Sequence, residues 1–264
     1  METDRSNTML PFSGHLEVLR WMLFRIIAVA GTLGIVIFCF KNFTWELLLA
    51  PSEYTFCTYK SIESILSAIG VDFHFAPFKV DLIATDLSSQ FMTHITTSLY
   101  LGLLGASPYV LFELFRFISP ALYETEKKYS VQIVFIVYIL FIFGILMSYY
   151  VLFPISFRFL GTYSVAEKIH STITIDSYIS TFTTLTLLMG VVFQMPIVSF
   201  FLGKMGLLTS KILRQYRKHS LIIIMLVAAI ITPPDLITLI LVTIPLYLLY
   251  EVSIWVVGFS SKNK

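Results

Sequence analysis

The side chains with the greatest capacity for chemistry in this sequence are carboxylates set beside bases. Leu122-Tyr123-Glu124-Thr125-Glu126-Lys127-Lys128 places two acids ahead of two lysines. One reading is a helix start, with acids at its positive end and bases beyond. The other is an acidic spot for a basic ligand, since a guanidinium pairs bidentately with a carboxylate. His15-Leu16-Glu17-Val18-Leu19-Arg20 is a second amphipathic stretch of mixed charge. Alone, it reads as an interfacial anchor. Five further polar groups fall within or beside apolar runs, where an unpaired polar group is costly. Gln194 lies near helix-breaking Pro196 and either binds a carbonyl that the proline frees or serves a contact. Glu251, beside Tyr250, either pairs with Arg25 or a partner chain, or snorkels. Asp235 follows two prolines and takes the position of a helix N-cap. Glu113 and Arg116, three apart, satisfy each other on one helix face.

The usual catalytic constellations are missing. The sequence has no GxxxxGK[ST], HExxH or GxSxG. His15, His74, His94, His170 and His219 are scattered, and Cys39 and Cys57 have neither the number nor the spacing of a metal cage. No catalytic residue, metal or cofactor is therefore expected. Any work must draw on outside energy, such as a membrane potential at about 2.3 kcal/mol per charge per 100 mV.

The elements that hold these groups follow from composition. Of 264 residues 57% are hydrophobic, 16% aromatic and only 13% charged, and the mean hydropathy is +0.84. Soluble domains carry about a quarter charged residues. A disordered chain, a small disulfide scaffold and, at a net charge of +2, a nucleic-acid binder are excluded. The 24 Phe and 14 Tyr need a non-aqueous environment. The expectation is an all-α polytopic membrane protein, one membrane domain over 1–264.

Apolar runs predict spans at 21–40, 95–115, 131–153, 182–202, 221–231 and 236–257, with a cap of short helices over 41–92. The last two come from one run broken at Thr232-Pro233-Pro234-Asp235, because paired prolines cannot sit in a continuous helix. Both are expected to be short. Six spans are preferred over a re-entrant hairpin at that break. Thirteen of the eighteen Lys and Arg then fall on one side, in the N-terminus, the 116–130 and 203–220 loops and the C-terminus. Basic loops stay in the cytoplasm, so both termini are expected inside. Ala28-Val29-Ala30 imitates a cleavage site, but the apolar run continues past it, and the segment before it carries Glu2 and Asp4. There is no internal repeat, which disfavours an inverted-repeat transporter. A small-solute transporter built on Gln194, Glu251 and Asp235 is nevertheless the alternative.

Taken together, the segments resemble the TatC family, the multispanning subunit of the twin-arginine protein translocase. His15-Leu16-Glu17-Val18-Leu19-Arg20 resembles its N-terminal HLxELR box. Phe117-Ile118-Ser119-Pro120-Ala121-Leu122-Tyr123-Glu124-Thr125-Glu126-Lys127-Lys128 resembles the FxxPGLYxxEK/R signature of the first cytoplasmic loop. Ala50-Pro51, Ile83-Ala84-Thr85-Asp86, Phe153-Pro154, Phe193-Gln194-Met195-Pro196, Thr232-Pro233-Pro234-Asp235 and Tyr250-Glu251 follow at family spacing. The match covers about residues 12–258.

The resemblance implies a non-enzymatic receptor and core subunit for export of folded proteins, driven by the proton motive force in a bacterial inner membrane. Its partners would be twin-arginine signal peptides, single-span TatA- and TatB-type subunits, and further copies of itself. By the same resemblance Glu126 is the main contact of the signal peptide, with Glu124, Glu17, Arg20 and Phe117 around it. Gln194, Glu251, Asp235 and Pro51 form the set that faces partner helices or lies at membrane depth. Two positions depart from the pattern. Val18 stands where the box has its acid, with Glu17 one place earlier, and Gln194 stands where the fourth span has a glutamate.

Overall fold

The computed structural model describes residues 12–72, 75, 77–78, 80–118, 130–164, 166 and 172–262. Helices dominate. α1 is Phe12–Cys39, followed by α2 (Lys41–Leu49), a 3-10 turn (Ala50–Ser52), α3 (Cys57–Ala68) and the two-residue strand β1 (Leu82–Ile83). α4 (Ser89–Gly105) and α5 (Ser107–Ile118) come next, then α6 (Ser130–Met147), a π-helical turn (Ser148–Leu152) and α7 (Phe153–Thr162). β2 (Ile173–Thr174) precedes α8 (Ile175–Val192), α9 (Met195–Lys204), α10 (Ser210–Gln215), α11 (Arg217–Ile231) and α12 (Leu236–Lys262).

Four helical stretches are long and apolar enough to cross a membrane: Leu16–Cys39, Ile133–Thr162, Ile175–Lys204 and Leu236–Phe259. α4 and α5 bend by 57° at Ala106 and make a fifth if the pair is one span. The six-span expectation is met only to that extent among the described residues. α11 has 15 residues, about 22 Å at ~1.5 Å per residue, against an apolar core of ~30 Å. The last helix corrects the expectation of two short ones. α12 runs for 27 residues with Pro245 inside it, and Leu236–Phe259 within it is long and apolar enough to span. Large apolar side chains such as Ile27, Ile35, Phe143, Ile230 and Trp255 stand exposed along these helices, as a hydrocarbon environment requires.

By contacts the chain divides into two compact units, 1–39 with 98–138, and 40–97 with 139–264. In the first, α1 packs on α5 and on the end of α4. A Cβ on Gly102 would lie 2.5 Å from the Gly34 nitrogen and 2.6 Å from the Ala30 carbonyl oxygen. Only glycine lets the two backbones come this close.

In the second unit, Leu185, Met189, Phe193, Ile224, Ala228, Val242, Leu246, Tyr250 and Ile254 form one buried cluster across α8, α11 and α12. β1 pairs in parallel with β2, Leu82 opposite Ile173 and Ile83 opposite Thr174. At the start of α8, Asp176 accepts hydrogen bonds from the Ser89 and Thr93 hydroxyls of α4. The region expected as a cap thus folds into α2, the 3-10 turn, α3 and β1 before α4 begins.

Candidate functional site

In the first unit, Glu17, Val18 and Arg20 lie exposed on the opening turns of α1. The Arg20 guanidinium sits 5.8 Å from the centre of the neighbouring Trp21 ring. Phe117 is half-buried near the end of α5. Glu124 and Glu126 lie outside the described residues.

Between these helix ends is a contact that the sequence reading assigned differently. Glu113 does not pair with Arg116. Its Oε2 receives a hydrogen bond from the Arg25 Nη2 of α1 at 2.9 Å, and its Oε1 receives the Tyr109 hydroxyl at 3.0 Å. The Glu113 side chain is 4% exposed and that of Arg25 43%, while Arg116 faces outward. The reason is desolvation. A carboxylate this buried needs a cation and a donor inside the same contact, and those come from the neighbouring helix and the preceding turn. The signal was present in the sequence: an arginine within one apolar run and a glutamate at the tail of another each need a countercharge. Helix rotation, which decides the pairing, was not legible.

In the second unit, α8 and α9 meet at Gln194. Its backbone N–H turns to the Val191 carbonyl at 3.0 Å rather than to that of Gly190. The Gln194 side-chain Nε2 reaches the Gly190 oxygen instead, at 3.4 Å. The amide thus stands in for its own main chain, a correction to the expected bond with a carbonyl freed by Pro196. Pro196 itself occupies the first turn of α9, where no N–H is needed. Gly144 of α6 lies against the same segment, and a Cβ there would be 2.6 Å from the Met189 carbonyl oxygen.

Glu251 pairs with Arg217 of α11 at 2.6 Å and accepts from the Tyr247 hydroxyl at 3.2 Å. That replaces the expected Arg25, which is engaged with Glu113. Asp235 acts as the expected N-cap, its Oδ1 receiving the Thr238 N–H at 2.7 Å. Gln194, Glu251 and Asp235 are each engaged by local partners.

Pro51 is buried in the 3-10 turn. The Tyr59 hydroxyl of α3 lies between two carbonyl oxygens, Pro154 at 2.8 Å and Pro51 at 3.3 Å. Burial pushes that hydroxyl well above the ordinary tyrosine range, which keeps it a donor. Arg158 sits 5.3, 4.2 and 4.8 Å from the rings of Tyr59, Phe75 and Phe78. Neither this aromatic box nor the Asp176 cluster was singled out from the sequence. Among the described residues no three His, Cys, Asp or Glu side chains gather as a metal site.

The profile of one family, Sec-independent protein translocase protein (TatC), matches residues 14–245. A TatC of Blattabacterium sp. subsp. Periplaneta americana is 32% identical over 259 residues, 97% of each chain. One from Aquifex aeolicus is 32% identical over 257 residues, covering 97% of this chain and 98% of the relative. A crystal structure described as the twin arginine translocase receptor TatC is similar with a TM-score of 0.73 at 31% identity. The match covers 94% of this chain and 99% of that one.

Proposed function

The chain belongs to the TatC family of Sec-independent protein translocases, and from that premise we propose that it receives twin-arginine signal peptides and nucleates the complex that exports folded proteins. Being a translocase component with several apolar helices, it is a membrane protein. The reading places it in a bacterial cytoplasmic membrane with both termini inside and the proton motive force as the energy source. Single-span TatA- and TatB-type subunits would be its partners. Glu126 is the principal carboxylate for the paired arginines, with Glu124, Glu17, Arg20 and Phe117 around it.

One observation carries this reading. α1, which bears the Glu17–Arg20 box, and α5, which runs through Phe117 into the loop signature, pack together in one compact unit. Two segments far apart in sequence, both resembling signal-recognition motifs, therefore leave the same helix pair. Photocrosslinking tests it. A twin-arginine signal peptide should crosslink to probes at the neighbouring positions 18 and 125 in membranes, and replacing its arginine pair by lysines should remove the adduct. An adduct indifferent to the arginines, or none, would overturn the reading.

A further inference from the structure

We propose that Arg25, Glu113 and Tyr109 form a positioning lock that sets the register of α1 against α5, so that the Glu17–Arg20 box and the Phe117 end of α5 address one signal peptide together. The proposal rests on the receptor reading above and adds residues that no motif contains.

The geometry is asymmetric. Glu113 is almost wholly buried and receives two donors, one per oxygen, from Arg25 at 2.9 Å and Tyr109 at 3.0 Å. A buried carboxylate held at both oxygens fixes the rotation of its helix, because turning α5 would strip both bonds in a low-dielectric setting. Arg25 is eight residues along α1 from Glu17, about 12 Å at ~1.5 Å per residue. Glu113 is four residues, about one turn, from Phe117. The lock therefore sits just inside both recognition segments.

Further along α1, Gly34 and Ala30 meet Gly102 of α4 backbone to backbone, on the far side of the bend at Ala106. That contact sets how closely α1 approaches α4 and carries no directional bond to α5. Rotational register falls to the ion pair. A mismatch of one residue would turn the Glu17–Arg20 box by about 100° relative to α5, and Val18 already leaves the box with its acid displaced by one position.

The test uses the full chain in membranes together with its partner subunits. Photoprobes at the neighbouring positions 18 and 125 report crosslinking to a twin-arginine signal peptide while Glu17 and Glu126 stay in place. Nitroxides at Leu16 and Leu114, both exposed, report the α1–α5 distance, with Cys39 and Cys57 changed to serine. Arg25→Ala and Glu113→Ala are expected to cut crosslinking at least tenfold and to broaden the distance distribution. The reversed pair Arg25→Glu/Glu113→Arg should restore at least half of both signals, and Arg25→Lys should keep at least half.

Crosslinking within twofold of wild type in Arg25→Ala overturns the proposal. So does loss in the singles without rescue by either the reversal or Arg25→Lys. Where Arg25→Ala fails to accumulate, Arg25→Lys and the reversed pair decide by the same thresholds. If the wild-type chain gives no crosslink at all, the receptor reading has failed. The nitroxide distances then still decide the lock, since an unchanged narrow distribution in Arg25→Ala rejects it.

Discussion

Gly144 sits against Met189 so closely that a methyl group added to it would lie 2.6 Å from the Met189 carbonyl oxygen. That oxygen belongs to the backbone of α8 and cannot swing aside. The contact brings α6 onto the turn of α8 just before its chain path breaks at Gln194, and so holds the break where the polar amide is.

Gly144→Ala is therefore expected to destabilise the chain by about 1–3 kcal/mol, the usual range for overpacking a tight contact. A thermal unfolding curve in mild detergent should show a lower midpoint, with larger losses for Gly144→Leu. An unchanged midpoint would mean that the helices separate at no cost.

Gln194→Leu removes the amide that occupies the Gly190 carbonyl and any contact to a partner helix. Interhelical hydrogen bonds of this type are worth about 0.6–2 kcal/mol, so association with single-span subunits should weaken rather than vanish, while signal-peptide crosslinking persists. Gln194→Glu should be tolerated. Co-purification in mild detergent checks both, and full recovery of partners with Gln194→Leu would reduce the residue to a local backbone cap.

Glu126→Ala is expected to abolish crosslinking to the arginine pair of a signal peptide while the chain still inserts. Breaking a desolvated arginine–carboxylate pair costs several kcal/mol, whereas an exposed pair is worth under about 1 kcal/mol. Glu17→Ala should weaken binding less, because Glu17 stands exposed on α1. Val18→Glu should tighten it by restoring the acid to its usual place. Equal losses for Glu17→Ala and Glu126→Ala would contradict the ranking.

Tyr59 gives a pH dependence. Its folded pKa is raised by burial above the unfolded value of about 10. The stability from its hydroxyl is then fully present below pH 10 and lost as pH rises through the folded pKa. Tyr59→Phe should lower stability by about 1 kcal/mol at neutral pH, the net worth of a neutral hydrogen bond. It should also flatten the alkaline loss seen by limited proteolysis of α3. A wild-type chain whose α3 is equally resistant at pH 8 and pH 11 would contradict this.

The sequence made the long apolar runs, the Thr232–Asp235 turn and the N-cap at Asp235 legible, because each depends on neighbours within a few positions. It misjudged what depends on helix rotation. Arg116 is the near neighbour of Glu113 in sequence, yet Arg25, 88 residues away, is its partner. Glu251 likewise turns to Arg217. Length was misread at the last helix, because 236–257 alone already reaches about 33 Å at ~1.5 Å per residue. The bend at Ala106 falls between Gly105 and Pro108, a break signal that the expected continuous span over 95–115 ran through, and the carbonyl taken by Gln194 follows from a local turn that composition does not encode.

The β1–β2 ladder has a consequence for biogenesis. Residues 82–83 find their partners only at 173–174, and the Asp176 bonds to Ser89 and Thr93 span a similar gap. Tyr178 donates to the Leu48 carbonyl at 2.7 Å across 130 residues. Such distant closures form late. While the ribosome is still adding α6 and α7, α2, β1 and the start of α4 have none of these partners, and they gain them together when α8 arrives. A nascent chain stopped before Ile173 should therefore expose the β1–α4 junction to protease, and one extended past Tyr178 should protect it.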